Sequence, residues 1–321
     1  MTSRLIITNG DAAVDVMKRA GLADHFLPWR DVLYEGPVPA GLDLASLSTL
    51  RARFISDRGW GEPERVLHSF RERDRELERA GNYPRITLWF EHDLYDQLQI
   101  LQVLDWFYHH RPDPAALSMV CTKNYLGPSS PDEISALMAH EEEVTTDQLE
   151  LAHHAWSAFT APDPLSWASL LDEETSPLPF LRGAVLRLLE EYPHSGRGLS
   201  RTALATLRLI EQESLPPGRL FARYMESEEH RFLGDASFWF ILNSLAGSGT
   251  PLIHTQPKPL TLPASSHQSV VITSEGCECL AGDRNWLDTH PIDQWIGGVH
   301  LTPDDFWWWT PDTQTVRKEE A

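Results

Sequence analysis

The chain has 321 residues, 41% hydrophobic and 23% charged, which is long enough for two domains with sizeable cores. No stretch approaches the roughly 18 apolar residues of a membrane-spanning helix, so no membrane role is expected. The 27 Lys and Arg against 47 Asp and Glu give a formal net charge of -20, which argues against wide contact with a phosphate backbone and makes nucleic acid a poor candidate partner.

Leu5-Ile6-Ile7-Thr8 reads as a strand, followed by a helix over residues 12–20 that Gly21 is placed to stop. Residues 26–29 read as a second strand. Residues 44–80 carry a charged helical pattern interrupted near Gly59 to Pro63, and the arginine and glutamate alternation over 71–79 predicts a solvated face. Residues 86–90 have a strand signature, and residues 94–110 place Leu94, Leu98, Leu101 and Leu104 at helical spacing before Pro112 and Pro114. A fourth strand over 117–121 is followed by a turn at 127–131 and a helix over 132–142.

Helical patterns continue over 146–171, with Thr146 as cap, and over 181–191; residues 192–198 read as a linker. Helices over 201–212, 219–225 and 237–245, the last capped by Asp235, precede short strands over 251–254 and 270–273, which is a winged-helix pattern. Residues 294–301 and 306–310 suggest a hairpin around Thr302 to Asp305, with a bulge at Gly297-Gly298, and Trp307-Trp308-Trp309 should bury at least one ring. The expected fold class is α/β: an open, mainly parallel sheet domain over 1–130, a helical connector over 131–195, and a winged-helix-like α+β domain with a carboxyl-terminal hairpin over 196–321.

If the four strands are parallel, the polar motifs that follow them gather at one carboxyl edge, where such sheets bind ligands. Asn9-Gly10-Asp11 lies where helix amides can hold an anion, with Gly10 free to take positive φ and Asp11 able to bind a cation or to cap the helix. The dinucleotide G-x-G-x-x-G and the phosphate-loop G-K-[ST] are missing, so neither an NAD nor a P-loop site is indicated. Glu91-His92-Asp93 puts three ionisable groups at a strand end, where Glu91 or Asp93 could act as base and His92 as proton carrier, or Asp93 could cap the next helix. Asp96 and Gln97 follow one turn later.

Asp31 and Glu35 could join from the second strand's loop, or Asp31 could bond backbone amides. Lys123 could meet a phosphate or stay solvated. The expected metal ligands are Asp11, Asp31 and Asp93, holding Mg or Mn. The pairs His109-His110 and His153-His154 point to different sides of their helices and read as surface residues. Cys121, Cys277 and Cys279 match no disulfide or zinc pattern and, with no secretory signal pattern at the start, fit a reducing cytoplasm.

These features point to a small phosphorylated or nucleotide-like ligand, with metal-assisted hydrolysis or phosphoryl transfer as the chemistry. The alternative is a non-enzymatic regulator that senses a ligand or binds a protein or a second copy. Residues 237–245 contain no Lys or Arg, which favours protein over DNA.

Asn9-Gly10-Asp11, the run Trp29-Arg30-Asp31-Val32-Leu33-Tyr34-Glu35-Gly36-Pro37-Val38-Pro39, and Leu88-Trp89-Phe90-Glu91-His92-Asp93-Leu94-Tyr95-Asp96-Gln97 together resemble the bacterial family named domain of unknown function 1835. The resemblance covers roughly the first 130 positions. Phe232-Leu233-Gly234-Asp235 with Phe238-Trp239, and Trp295-Ile296-Gly297-Gly298-Val299, look like the tail of some relatives. The family has no established activity, so the resemblance implies no substrate, cofactor or catalytic residue.

Overall fold

A computed structural model describes residues 4–110, 116–247 and 249–318. The chain divides into two compact units: one runs to Val185 and includes Gly297–Val299, the other is Leu186–Ile296 with the residues from His300 onward. No described helix is long and apolar enough to cross a membrane.

The first unit is α/β. Its elements are β1 (Leu5–Thr8), α1 (Asp11–Arg19), β2 (His25–Pro28), the two-residue β3 (Gly36–Pro37), α2 (Leu44–Asp57), α3 (Pro63–Glu78), β4 (Arg85–Glu91), α4 (Leu94–His109), β5 (Ala116–Thr122), α5 (Pro131–Leu137), β6 (Glu142–Glu143), α6 (Thr146–Thr160) and α7 (Leu165–Ser169); α8 (Leu181–Leu189) crosses into the second unit. Five strands form a sheet in the order β2-β1-β4-β5-β6, parallel except for β6. Burial on both faces explains the near-continuous apolar runs of β1 and β4.

Alternation along the strands assigns the two faces. Ile6, Trp89 and Val120 form a core with Ala13, Val16 and Met17 of α1 and Ile134 of α5. The fully buried Leu5, Ile7 and Leu88 have the opposite parity. There α4 packs, its Gln97 Nε2 reaching Cys121 Sγ of β5 at 3.6 Å. The helices that follow β1 and β4 therefore leave on opposite faces, which makes the gap between these adjacent strand ends the topological switch point of the sheet.

Local chemistry sets the element ends. α1 closes with Gly21 at φ 85°, its N–H donating to Lys18 O while Leu22 N–H donates to Met17 O. α6 is capped by Thr145, one residue earlier than expected, through a reciprocal box with Gln148. It stops at Thr160 instead of running to 171, because Pro162 and Pro164 follow. The expected helix over 132–142 ends at Leu137. A 3₁₀ turn then delivers Glu141, whose carboxylate accepts from Thr87 Oγ1 (2.8 Å) and Ser118 Oγ and pairs with Arg4 and Arg85. That anchoring lays Glu142–Glu143 beside β5 as an antiparallel edge.

The charged stretch over 71–79 is not wholly solvated. Arg73 is buried, its guanidinium 4.0 Å from the Trp29 ring and bonded to Ser48 and Asp74. Pro112 and Pro114, expected to end α4, lie outside the described residues.

The second unit contains α9 (Arg201–Gln212), α10 (Pro217–Ser227), α11 (Asp235–Ala246), β7 (Ile253–Gln256), β8 (Ser269–Ile272), α12 (Ser274–Ala281), β9 (Gln294–Gly297), β10 (Val299–Leu301), β11 (Trp307–Thr310) and β12 (Thr315–Lys318). β7 and β8 pair antiparallel after the three helices. Residues 192–198 are tied down, with Ser195 N–H donating to Trp309 O and Trp309 N–H to Pro193 O. β11 pairs with β12, not with residues 294–301 as expected, and Trp309 buries its ring while Thr302 and Asp305 close a tight turn.

Candidate functional site

Three carboxylates converge at the switch point. Glu91 is the last residue of β4, Asp93 caps α4, and Asp96 stands in its first turn. All three are buried, and one oxygen of each lies within 4.8 Å of the other two. The strand-to-helix turn sets this placement: Asp93 caps α4 through its carboxylate, and the first helical turn brings residue 96 back beside residue 91.

Neutral donors hold the cluster. Asn9 Nδ2, arriving from the end of β1, donates to Glu91 Oε1 (2.8 Å) and Asp96 Oδ2 (2.9 Å). Leu126 N–H donates to Glu91 Oε1 (2.8 Å), and Glu91 N–H to Asp96 Oδ1 (2.6 Å). Asp93 Oδ1 accepts from the N–H groups of Tyr95 (2.9 Å) and Asp96 (3.3 Å). Gln97 Nε2 fixes the turn by donating to Glu91 O at 2.7 Å, and Tyr95 donates its hydroxyl to Asn9 O at 3.3 Å. Among these donors there is no lysine or arginine.

Burial without a cation raises the carboxyl pKa values. Asp93 is pushed up to about 7, by burial first and then by the neighbouring Glu91 charge. Burial, with Asp93 and Glu91 beside it, holds Asp96 well above the carboxylate range. Burial also raises Glu91, and the bonds from Leu126 and Asn9 only offset part of that. His92 is buried nearby, its ring 5.1 Å from that of Tyr125 and 5.9 Å from that of Phe180.

The expected metal set of Asp11, Asp31 and Asp93 is not the one the fold assembles. Asp11 is exposed and held in a two-pronged pair by Arg30 (2.7 and 2.6 Å), which lowers its pKa. Asp31 is fully buried against Arg51, at 2.9 Å from Nη2 and 3.0 Å from Nε. Each already has its cation. The carboxylate that stands beside Asp93 is that of Asp96, with Glu91 as the third member of the cluster.

Gly10 adopts extended backbone, φ 167°, so the positive φ expected there is not used. It is the N-cap residue of α1, and Asp11, at the first helical position, makes no capping bond. Lys123 is exposed on the loop after β5, on the same carboxyl edge. Glu35 joins the loop that Arg51 organises through its carbonyl, at 2.8 Å. The sequence places Asp96 one turn after the Glu91-His92-Asp93 motif without marking it as a ligand, and carries no sign of the Leu126 N–H. The signal for Asp96 was available, since it lies one turn into a helix capped by Asp93.

No family model matches this chain. No curated protein matches it either.

Proposed function

We propose that the residues at the carboxyl ends of β1 and β4 bind a divalent cation, Mg²⁺ or Mn²⁺, and with it a small phosphorylated or nucleotide-like molecule, for hydrolysis or phosphoryl transfer. The observation that carries this reading is the set of three buried carboxylates, Glu91, Asp93 and Asp96, compensated among the described residues by neutral donors. Elsewhere in the unit, buried Asp31 and half-buried Glu141 have arginine partners. Like charges this close in a poorly solvated site attract a hard cation with oxygen ligands. In the ion-free fold burial holds the Asp93 carboxyl up to about 7, and cation binding would displace its proton. The amides that open α1 and the Lys123 ammonium supply the anion-binding part of the same edge.

Calorimetric titration with Mn²⁺ tests the reading. Asp96→Asn is expected to weaken binding at least about tenfold and to remove phosphoester turnover, whereas Asp11→Asn changes Mn²⁺ affinity less than about twofold. Equal affinity in wild type and Asp96→Asn would refute it.

A second reading rests on the order of elements in the other unit, where α9, α10 and α11 precede the β7–β8 hairpin. That order supports a winged-helix-like module and a regulator that senses a ligand at the sheet edge. α11 carries no Lys or Arg, so its expected partner is a protein. Membership of the domain of unknown function 1835 family belongs with these proposals, carried by the three amino-terminal motifs.

A further inference from the structure

We propose that Asp105, His109 and His153 form a second metal site, of the zinc class, on the seam between α4 and α6. Asp105 and His109 are four residues apart on α4 and so share a face. His153 comes from α6, which packs along α4. Asp105 Oδ1 lies 2.7 Å from His153 Nδ1 and 3.8 Å from His109 Nε2, and a ligand atom from each residue lies within 4.8 Å of the other two. A tetrahedral ion about 2.0–2.1 Å from each ligand needs them about 3.3 Å apart, so small side-chain rotations close the set.

The ring geometry is already set for convergence. His153 stacks on Tyr108 at 4.3 Å and 6°, which fixes its plane, and meets His109 edge-on at 4.8 Å and 88°. Asp105 Oδ1 hydrogen-bonds His153 Nδ1 and faces His109 Nε2, and an ion would replace the shared proton. Asp105 and His153 are half-buried and His109 is exposed, so an ion reaches the site from solvent.

Two imidazoles with one carboxylate favour zinc-class ions over Mg²⁺ or Ca²⁺, which prefer all-oxygen sets. Three protein ligands leave a fourth position for water or an outside donor. Each adjacent pair, His109-His110 and His153-His154, still points to different sides of its helix, and the proposed ligands come one from each pair. The site lies in the last turns of α4, whereas the Glu91, Asp93 and Asp96 cluster lies at its start, so it stands or falls independently of the proposed activity. A bound ion ties α4 to α6.

The test is calorimetric titration of the metal-free full chain with Zn²⁺ in excess Mg²⁺, alongside Co²⁺ absorption spectra. One equivalent of Zn²⁺ per chain is expected, weakened at least about tenfold in His109→Gln and His153→Gln and unchanged in Asp93→Asn. Wild-type Co²⁺ should give the strong visible bands of tetrahedral coordination, a readout that needs no variant. Failure to take up Zn²⁺, uptake indifferent to both histidine substitutions, or only a weak octahedral Co²⁺ spectrum would overturn the proposal.

Discussion

At the scale of single residues, the cluster makes a pH prediction whose sign follows from its raised pKa values. Asp93 has an ordinary value of 3.8 and one of about 7 in the fold. The folded chain thus keeps a proton that the unfolded chain releases, so this contribution to stability is complete below about pH 4 and is lost as pH rises through about 7. Glu91 and Asp96, raised in the same direction, act with the same sign. Without divalent cations, urea melts should show stability falling between about pH 4 and pH 7. Asp93→Asn should flatten that fall and add roughly 1–3 kcal/mol at pH 8, since asparagine caps as well and carries no charge. An unchanged slope in the variant would remove Asp93 as its source. Three members of this site, Asn9, Glu91 and Asp93, were legible in the sequence because they follow strand ends. Asp11 and Asp31 were misjudged because Arg30 and Arg51, which neutralise them, lie 19 and 20 residues away and meet them only through tertiary structure.

At the scale of elements, Arg51 of α2 organises the loop after β2. Besides Asp31, it donates to the carbonyls of Val32 (2.7 Å) and Glu35 (2.8 Å), and Gln99 of α4 donates to Asp31 O (2.8 Å). Gly36 turns there with φ 79°, and a Cβ would sit 2.7 Å from the Phe54 ring. Asp31→Asn leaves a buried guanidinium without its counter-charge and should cost about 3–5 kcal/mol in chemical denaturation. A loss under about 1 kcal/mol would mean that other contacts hold the loop. The long elements β1, β4, β5 and α4 could be read from hydrophobic period and bounding glycines or prolines. β6 could not, because two residues carry no period and their position is set by the four partners of Glu141. The hairpin of β11 was misread for a similar reason: alternation identifies a strand but not which neighbour it pairs with.

At the scale of the whole molecule, the net charge of -20 decides what the surface attracts. Long-range repulsion from nucleic acid combines with an α11 that lacks basic residues, so fluorescence anisotropy at about 50 mM salt should show no duplex DNA binding. Salt-sensitive binding would instead revive a DNA-reading role for the second unit. A negative net charge favours cations generally, and the switch point of the doubly wound sheet lies between the ends of β1 and β4. The central claim is that Glu91, Asp93 and Asp96 are a cation site, not a neutralised polar core. The most direct test is the anomalous signal of Mn²⁺ in crystals of the full chain. A peak about 2.0–2.6 Å from oxygens of all three residues is the expected result. Crystals saturated with Mn²⁺ that show no peak there, with Asn9 still bridging Glu91 and Asp96, would contradict it.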